Sequence, residues 1–442
     1  MENPIAFVNV LEESQKREKA VLVGVDRPGL EWPIEESLAE LARLVQTDGA
    51  QVVATCTQRL SKPVAKTYVG TGKAAQIAEQ AHALEAGVIV FDEELTPSQQ
   101  ANLEKIVGPD VKVIDRTALI LDIFASHAKT KEGRLQVRLA QNQYLLPRLR
   151  GMWSHLVKEQ TRGGIGSRFG QGESQLEVDR RLVRKRIATL QNELRVLERR
   201  RETQSKSRHE AGVYRVSLVG YTNAGKSTLL NALTNASVYV RDELFATLDP
   251  TTRSLELPEG KKVTLTDTVG FVQKLPTMLV EAFKSTLAEA KQANLLLLVV
   301  DASDQNAPRH IKAVEDILGE LGAQELPRVL VFNKCDLLTR EQREHVRRDH
   351  PKAVCISAST GMGIDALTYR IAKEATRLDT TITVCVPYDR GKMVQMIHER
   401  CRIIHEEYGA DGYVATVCAN PQMDAMLRPY VMPSSTDDQS SS

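Results

Sequence analysis

Val216-Ser217-Leu218-Val219, followed by Gly220-Tyr221-Thr222-Asn223-Ala224-Gly225-Lys226-Ser227, decides how this chain folds. An apolar, β-branched run that breaks into glycine and then reaches Lys-Ser reads as strand, loop and helix start, in the spacing G-x-x-x-x-G-K-[ST]. The glycines let successive backbone amides wrap a chain of phosphates, and the N-terminus of the following helix adds positive potential. Lys226 is placed to pair with the β and γ phosphates and Ser227 to ligate magnesium, with Thr228 part of the same binding segment. The domain around this loop is therefore α/β, with a mainly parallel sheet.

Three further segments arrive in the order such a site needs. Asp267-Thr268-Val269-Gly270 ends a strand over Lys262 to Thr266, so Asp267 can hold magnesium through its shell while the Gly270 amide reads the γ phosphate. Asn333-Lys334-Cys335-Asp336 ends a strand over Arg328 to Phe332. Its aspartate can accept both N1–H and N2–H of guanine, a donor pair adenine lacks, and a carboxylate left unpaired is costly, so the motif argues GTP over ATP. Ser357-Ala358-Ser359, after a strand over Ala353 to Ile356, completes the base pocket. Between the first two motifs lies Phe245-Ala246-Thr247-Leu248-Asp249-Pro250-Thr251-Thr252-Arg253. It offers several threonines for a switch that closes on magnesium, and spacing alone does not choose among them.

Working outward, Ala20 to Val25, Gln51 to Thr55, Val88 to Asp92 and Val111 to Asp115 read as strands. Helical patterns at Ile34 to Val45, Ala74 to Ala86 and Pro97 to Val107 separate them, so residues 1–127 form a largely parallel α/β domain. Residues 128–210 change to a helical period. Leu139, Leu146, Leu149, Trp153 and Leu156 mark one face, with Pro147 expected to bend or interrupt the helix. Val183, Ile187, Leu190, Leu194 and Leu197 form a second seam, and the two helices pair most simply as an antiparallel hairpin. The break Gly163 to Gly172 lies at its tip. The nucleotide-binding domain covers 211–378, and 379–433 is a small α+β domain with a strand at Thr381 to Val386, a helix at Lys392 to Glu407 and a strand at Tyr413 to Val417. Residues 434–442 read as a disordered polar tail.

At 442 residues the chain is long enough for about three folded units, and 42% hydrophobic against 26% charged residues excludes wholesale disorder. The longest apolar run, Leu295 to Val300, is six residues, far short of the roughly 20 that cross a bilayer. The start lacks a secretory segment and the six cysteines form no Cys-x-x-Cys pair, so a cytoplasmic, reduced protein is expected. The net charge of +1 hides an asymmetry: Ala128 to Arg208 holds 20 Lys and Arg against 8 Asp and Glu, an excess of 12, leaving −11 on the rest. A lone charge run usually marks a solvated helical face. Beside a glycine-rich tip that carries Arg162, Arg168 and Phe169, it points to a polyanion, with phosphate contacts from the arginines and stacking from the aromatic ring.

The P-loop as it stands, Phe245 to Asp249 and Asp267 to Gly270 resemble the Obg-HflX group of translation-factor-related GTPases. The basic helical hairpin placed before the nucleotide-binding domain is similar to the HflX family within that group, and the resemblance covers nearly the whole chain. It implies that Thr247 is the switch magnesium ligand beside Ser227, with Lys226, Thr247 and Gly270 the catalytic residues. It also implies a monomer that binds the large ribosomal subunit, reaches ribosomal RNA near the peptidyl transferase centre with the hairpin tip, and splits stalled or idle ribosomes during stress. Two other functions fit the same motifs: an assembly factor for the large subunit, and a GTP-gated RNA-binding module with incidental turnover.

Three positions qualify this picture. Phe271 stands where many small GTPases place a water-orienting glutamine, so hydrolysis should be slow alone and should rise with ribosomes. Asn223 resembles the asparagine with which related GTPases hold potassium, and it suits the loop's turn equally well. Gly70-Thr71-Gly72-Lys73 lacks the full P-loop spacing and reads as a turn and helix start, with an ATP site in the N-terminal domain as the alternative.

Overall fold

The computed structural model describes residues 17–160, 169–210, 213–234, 244–245, 247–274, 279 and 290–432, without side-chain description at 150–160, 169–176, 200–210 and 259. Contacts divide the chain into two compact units. One comprises Met1–Arg199, Val240–Asp249 and Val269–Leu287; the other comprises Arg200–Tyr239, Pro250–Thr268 and Ala288–Ser442.

In the first unit, strands β1 (Lys19–Asp26), β2 (Gln51–Arg59), β3 (Val88–Phe91) and β4 (Lys112–Asp115) form a parallel sheet in the order β2-β1-β3-β4. Helices α1 (Ile34–Thr47), α2 (Thr71–Ala83) and α3 (Pro97–Val107) make the crossovers such a sheet requires. The six central residues of β1 and all four of β3 are buried, as expected for parallel strands covered on both faces. Gly70 caps α2, with its amide donating to Gln58 Oε1 at 2.8 Å, so the Gly-Thr-Gly-Lys stretch is a turn and helix start. A fourth helix, α4 (Arg116–His127), is absent from the sequence reading. Leu119, Ile120, Leu121, Ile123 and Phe124 are all buried, so the helix is apolar around most of its circumference and has no amphipathic period to betray it.

Two long helices follow, α5 (Lys131–Gln160) and α6 (Phe169–Glu210). Leu135 and Leu139 near the start of α5 cluster with Leu190 and Leu194 far along α6, with Ile187 and Leu197 beside them, which is antiparallel packing. Of the two outcomes expected at Pro147, a bend or an interruption, the interruption does not occur: α5 continues through it. Residues 161–168, including Arg162, Gly163 and Arg168, lie outside the described residues, and Phe169 to Gly172 belong by backbone to the first turn of α6 rather than to a loop.

The second unit contains two sheets. Strands β5 (Tyr214–Gly220), β6 (Thr251–Glu256), β7 (Lys262–Asp267), β8 (Leu295–Asp301), β9 (Arg328–Asn333) and β10 (Val354–Cys355) lie in the order β10-β9-β8-β5-β7-β6. All neighbours are parallel except β6, which pairs antiparallel with β7. With Leu255 its one fully buried side chain, β6 is a polar edge strand without a readable pattern. Helices α7 (Lys226–Thr234), α8 (Ala307–Glu320), α9 (Arg340–Asp349) and α10 (Ile364–Ala375) belong to this unit.

An antiparallel sheet β11 (Thr380–Val386), β12 (Arg402–Tyr408) and β13 (Tyr413–Ala419), in the order β11-β13-β12, carries α11 (Gly391–Arg400) and α12 (Pro421–Leu427). The expected helix over Lys392 to Glu407 is therefore corrected: it ends at Arg400, and the rest is strand β12. Only Ile403 of β12 is even half-buried, so the strand lacks an alternating signal; its partner β13 and the Gly409–Gly412 turn (N···O 3.0 Å) define it. The polar tail from 434 lies outside the described residues. Among the described residues, no helix is long and apolar enough to cross a membrane.

Candidate nucleotide-binding site

In the second unit, the loop Gly220 to Gly225 joins β5 to α7, as its spacing requires. Asn223 (φ 60°) and Gly225 (φ 87°) both lie in the left-handed region. A Cβ on Gly225 would collide with the Asn333 side-chain amide, so glycine is demanded by close approach as well as by backbone angle. That approach ties the motifs together. Asn333 Nδ2 donates to Ala224 O (2.9 Å) and its Oδ1 accepts from the Ala358 amide (3.0 Å), so one buried side chain joins the phosphate loop to the loop after β10. Tyr221 stacks on His310 of α8, with ring centroids 3.9 Å apart.

Lys226 is buried, and its Nζ donates to Gly220 O (3.1 Å) and Tyr221 O (2.9 Å). Burial pushes its pKa down to about 8, against the opposing pull of the Asp267 carboxylate. Ser227 Oγ donates to Asp267 Oδ2 at 2.6 Å, and Asp267 itself is buried at the end of β7. A hydroxyl and a carboxylate side by side are hard oxygen donors of the kind that suit magnesium, so these residues fit that ion. Thr268 turns away from this pair and donates to Leu218 O at 2.7 Å.

At the base end, Lys334 (φ 60°) pairs with Asp301 Oδ2 at 2.7 Å, which holds the turn of Asn-Lys-Cys-Asp. Cys335 is buried and its amide donates to Ile356 O (3.0 Å), leaving Asp336 exposed in the next turn. Ser357 is buried within 3.1 Å of Ser359, hydroxyl to hydroxyl. The second unit thus brings together Gly220 to Thr228, Asp267, Thr268, Asn333 to Asp336 and Ser357 to Ser359.

The switch candidates Phe245, Thr247, Leu248, Asp249, Val269 and Gly270 fall in the first unit, and Ala246 lies outside the described residues. Phe245 (φ 58°) is buried edge-on against Phe124 of α4, with centroids 4.6 Å apart. Asp249 Oδ2 accepts from the amides of Lys129 and Thr130 at 2.8 Å each, and Oδ1 accepts from the Thr130 hydroxyl. Thr247 is half-buried and Leu248 fully buried beside it in sequence.

After Gly270 the chain meets a charge cluster that sequence reasoning missed. Arg116 is wholly buried. It pairs with Glu40 (2.8 Å) and Asp92 (2.9 Å) and donates to Gln273 O (3.1 Å). Burial opposes its charge, yet the two carboxylates outweigh that and hold its pKa above the ordinary arginine value. Lys274 (φ 54°) also reaches Asp92, and Glu93 at 3.5 Å. Phe271 and Val272 are buried in the same segment. The available signal was an arginine heading a mostly apolar helix.

Comparison with known proteins places these features in context. Residues 35–125 match the family model described as GTP-binding GTPase N-terminal, 127–208 the GTP-binding GTPase middle region, and 215–334 a 50S ribosome-binding GTPase. A protein named GTPase HflX from Caldanaerobacter subterraneus subsp. tengcongensis is 43% identical over 95% of this chain and 95% of its own length. Another of that name from Escherichia coli is 45% identical over 88% of this chain and 91% of its own. Among solved structures, a GTP-binding protein from the archaeon Sulfolobus solfataricus in complex with GDP is 24% identical with a TM-score of 0.41, over 82% of this chain and 99% of that one.

Proposed function

The chain belongs to the HflX family of GTPases, and from that premise we propose that it binds the large ribosomal subunit and separates the subunits of stalled or idle ribosomes under stress. Its activity is the hydrolysis of GTP to GDP and phosphate.

In this reading Lys226 moves from the loop carbonyls to the β and γ phosphates, and Gly225 and Ala224 offer backbone amides to the same chain of oxygens. Ser227 and Thr247 are the residues that would hold a magnesium ion, with Asp267 behind Ser227; when bound, the ion neutralises charge building up on the phosphates. Gly270 donates its amide to the γ phosphate. Asp336 accepts from guanine, and Asn333 keeps the base and phosphate ends in register. Asn223, exposed in its left-handed turn, is a candidate potassium ligand. Phe271 has no polar group with which to orient water and is buried besides, so turnover alone is slow and a ribosome must order the site. Ribosome binding places the protein in the cytoplasm, acting as a monomer, with domains bounded near residues 127, 210 and 378.

The observation that carries the ribosomal reading is the basic helical pair, 20 Lys and Arg against 8 Asp and Glu over Ala128 to Arg208, leading directly into the first strand of the GTP-binding sheet. Sedimentation of intact ribosomes with the protein and GTP, or a non-hydrolysable analogue, tests it. Dissociated subunits support splitting. Binding only to free immature large subunits favours an assembly factor, and binding without either effect favours a GTP-gated RNA-binding module.

A further inference from the structure

The guanine end of the site contains two thiols that nothing in GTP hydrolysis uses. Cys335 lies inside the Asn-Lys-Cys-Asp turn and Cys355 ends β10, two residues before Ser357. Their strands are paired: Cys355 sits opposite Phe332 in the ladder of β9 and β10. The Phe332 carbonyl accepts both the Ile356 amide (2.8 Å) and the Cys335 thiol (3.2 Å), while the Cys335 amide donates to Ile356 O (3.0 Å). Cys335, in the turn after β9, and Cys355, at the end of β10, are thus held beside one another at the base pocket, close enough for each thiol to shift the other's titration. Cys335 is buried and Cys355 half-exposed, and both are free thiols.

The pair is chemically asymmetric. The neighbouring Cys335 thiol lowers the Cys355 pKa, outweighing its burial, and the positive charge of Arg347 on α9 lowers it further. The same contact, with burial, raises Cys335. Cys355 is therefore the thiolate-forming, reachable member, and Cys335 the one behind it.

We infer that Cys335 and Cys355 form a peroxide-sensitive dithiol whose oxidation to a disulfide disables guanine binding. The Cys355 thiolate attacks a peroxide oxygen: an S–O bond forms, the O–O bond breaks, and hydroxide leaves to take up a proton as water. The Cys335 sulfur then attacks Cys355, forming S–S and breaking S–O, and the second hydroxide leaves as water with the Cys335 proton. Two thiols lose two electrons and one hydrogen peroxide becomes two waters.

A disulfide closes the sulfurs to about 2 Å. The Asn333 to Asp336 turn must then shift toward the Ser357 to Ser359 loop, and the Cys335 hydrogen bond to Phe332 O is lost. Asp336, the next residue, is displaced from the position that meets two guanine donors. The inference rests on the assignment of Asp336 as the guanine acceptor, and the test separates the two.

The reduced full-length protein is treated with hydrogen peroxide, its remaining thiols are alkylated, and the non-reduced digest is read by mass spectrometry. The dissociation constant of a fluorescent GDP is measured in parallel. A Cys335–Cys355 linked peptide should appear, GDP affinity should fall about 10- to 100-fold, the worth of one hydrogen bond to a charged group, and dithiothreitol should restore it. Cys355→Ser should bind GDP as the parent does and ignore peroxide. Absence of the linked peptide, cross-linking of Cys401 to Cys418 alone, or unchanged affinity in the linked protein would each overturn the inference. So would an equal loss in Cys355→Ser. The wild-type measurements stand even if that variant folds poorly. Asp336→Asn is the separate control: if base preference does not change, the guanine assignment fails, whatever the thiols do.

Discussion

The carboxylate of Asp249 receives Thr130 twice, through its amide at 2.8 Å and through its hydroxyl, and takes the Lys129 amide as well. Thr130 Oγ1 in turn accepts from the Gly133 amide at 3.0 Å, so Asp249 completes the N-terminal cap of α5 from more than a hundred residues away. Asp249 stands two residues after Thr247. The segment assigned to sense magnesium is therefore pinned to the start of the basic helices.

Removing either side of this cap should cost about 1 kcal/mol, the usual worth of an N-cap, with more for the charge at a helix N-terminus. Urea unfolding of Asp249→Ala and Thr130→Ala should show such losses, and the double variant should lose much less than their sum. Simple additivity would mean that the two side chains do not act together in solution.

Arg116 should be far less tolerant. Its replacement by Met leaves Glu40 and Asp92 buried without their main partner, and breaking such a pair costs about 3 to 5 kcal/mol. Arg116→Met should show that loss in denaturant midpoint. Because Gln273 O and Lys274 share the cluster, proteolysis after residue 270 should accelerate in the same variant. A loss below about 1 kcal/mol would mean that the cluster is open to water.

These two features mark where sequence reading stopped. The strand, loop and helix around Gly220 to Ser227 were legible because the motif is a record of local backbone geometry, with glycine at the positions where the chain turns left-handed or another group approaches. The central strands β1, β3 and β8 were legible because they are buried on both faces. β6 and β12 were not, because edge strands present mostly polar residues and owe their existence to a partner. Glu40, Asp92, Arg116 and Gln273 come from four separate segments, and no local spacing can announce a cluster of that kind. Asn333 was legible as part of a base motif, whereas its role as a staple between Ala224 and Ala358 needed the folded chain.

Lys226 makes GTP binding depend on pH. Its pKa of about 8 lies below the ordinary lysine value because of burial, and phosphate favours the charged form, so binding takes up a proton once the free enzyme has lost it. Affinity should be full below pH 8 and fall as pH rises through it, by about tenfold between pH 7 and 9. Lys226→Ala should bind weakly at every pH, lack this slope, and abolish hydrolysis. A parent protein with flat affinity over that range would refute the shifted lysine.

Guanine selection should follow Asp336. In Asp336→Asn the amide supplies a donor where xanthine presents an oxygen, so GTP affinity should fall and xanthosine triphosphate should be preferred. Competition between the three nucleoside triphosphates against a labelled GDP measures the change. Equal affinity of the parent for ATP and GTP would remove the basis for the assignment.

The basic face of α6 separates RNA binding from nucleotide binding. Arg181, Arg184, Lys185 and Arg186 are exposed within two turns of helix, and Arg180 is half-buried beside them. If each exposed residue meets a backbone phosphate, its replacement by Ala or Gln should weaken ribosome binding and lower the salt slope by about one. GTP affinity should not change, because these residues lie outside every nucleotide-binding motif. The quadruple variant should lose about four from the parent's salt slope, one for each contact removed. Retention of the parent's full salt slope in that variant would assign ribosome binding to another surface and leave the charge on α6 as a solvated face.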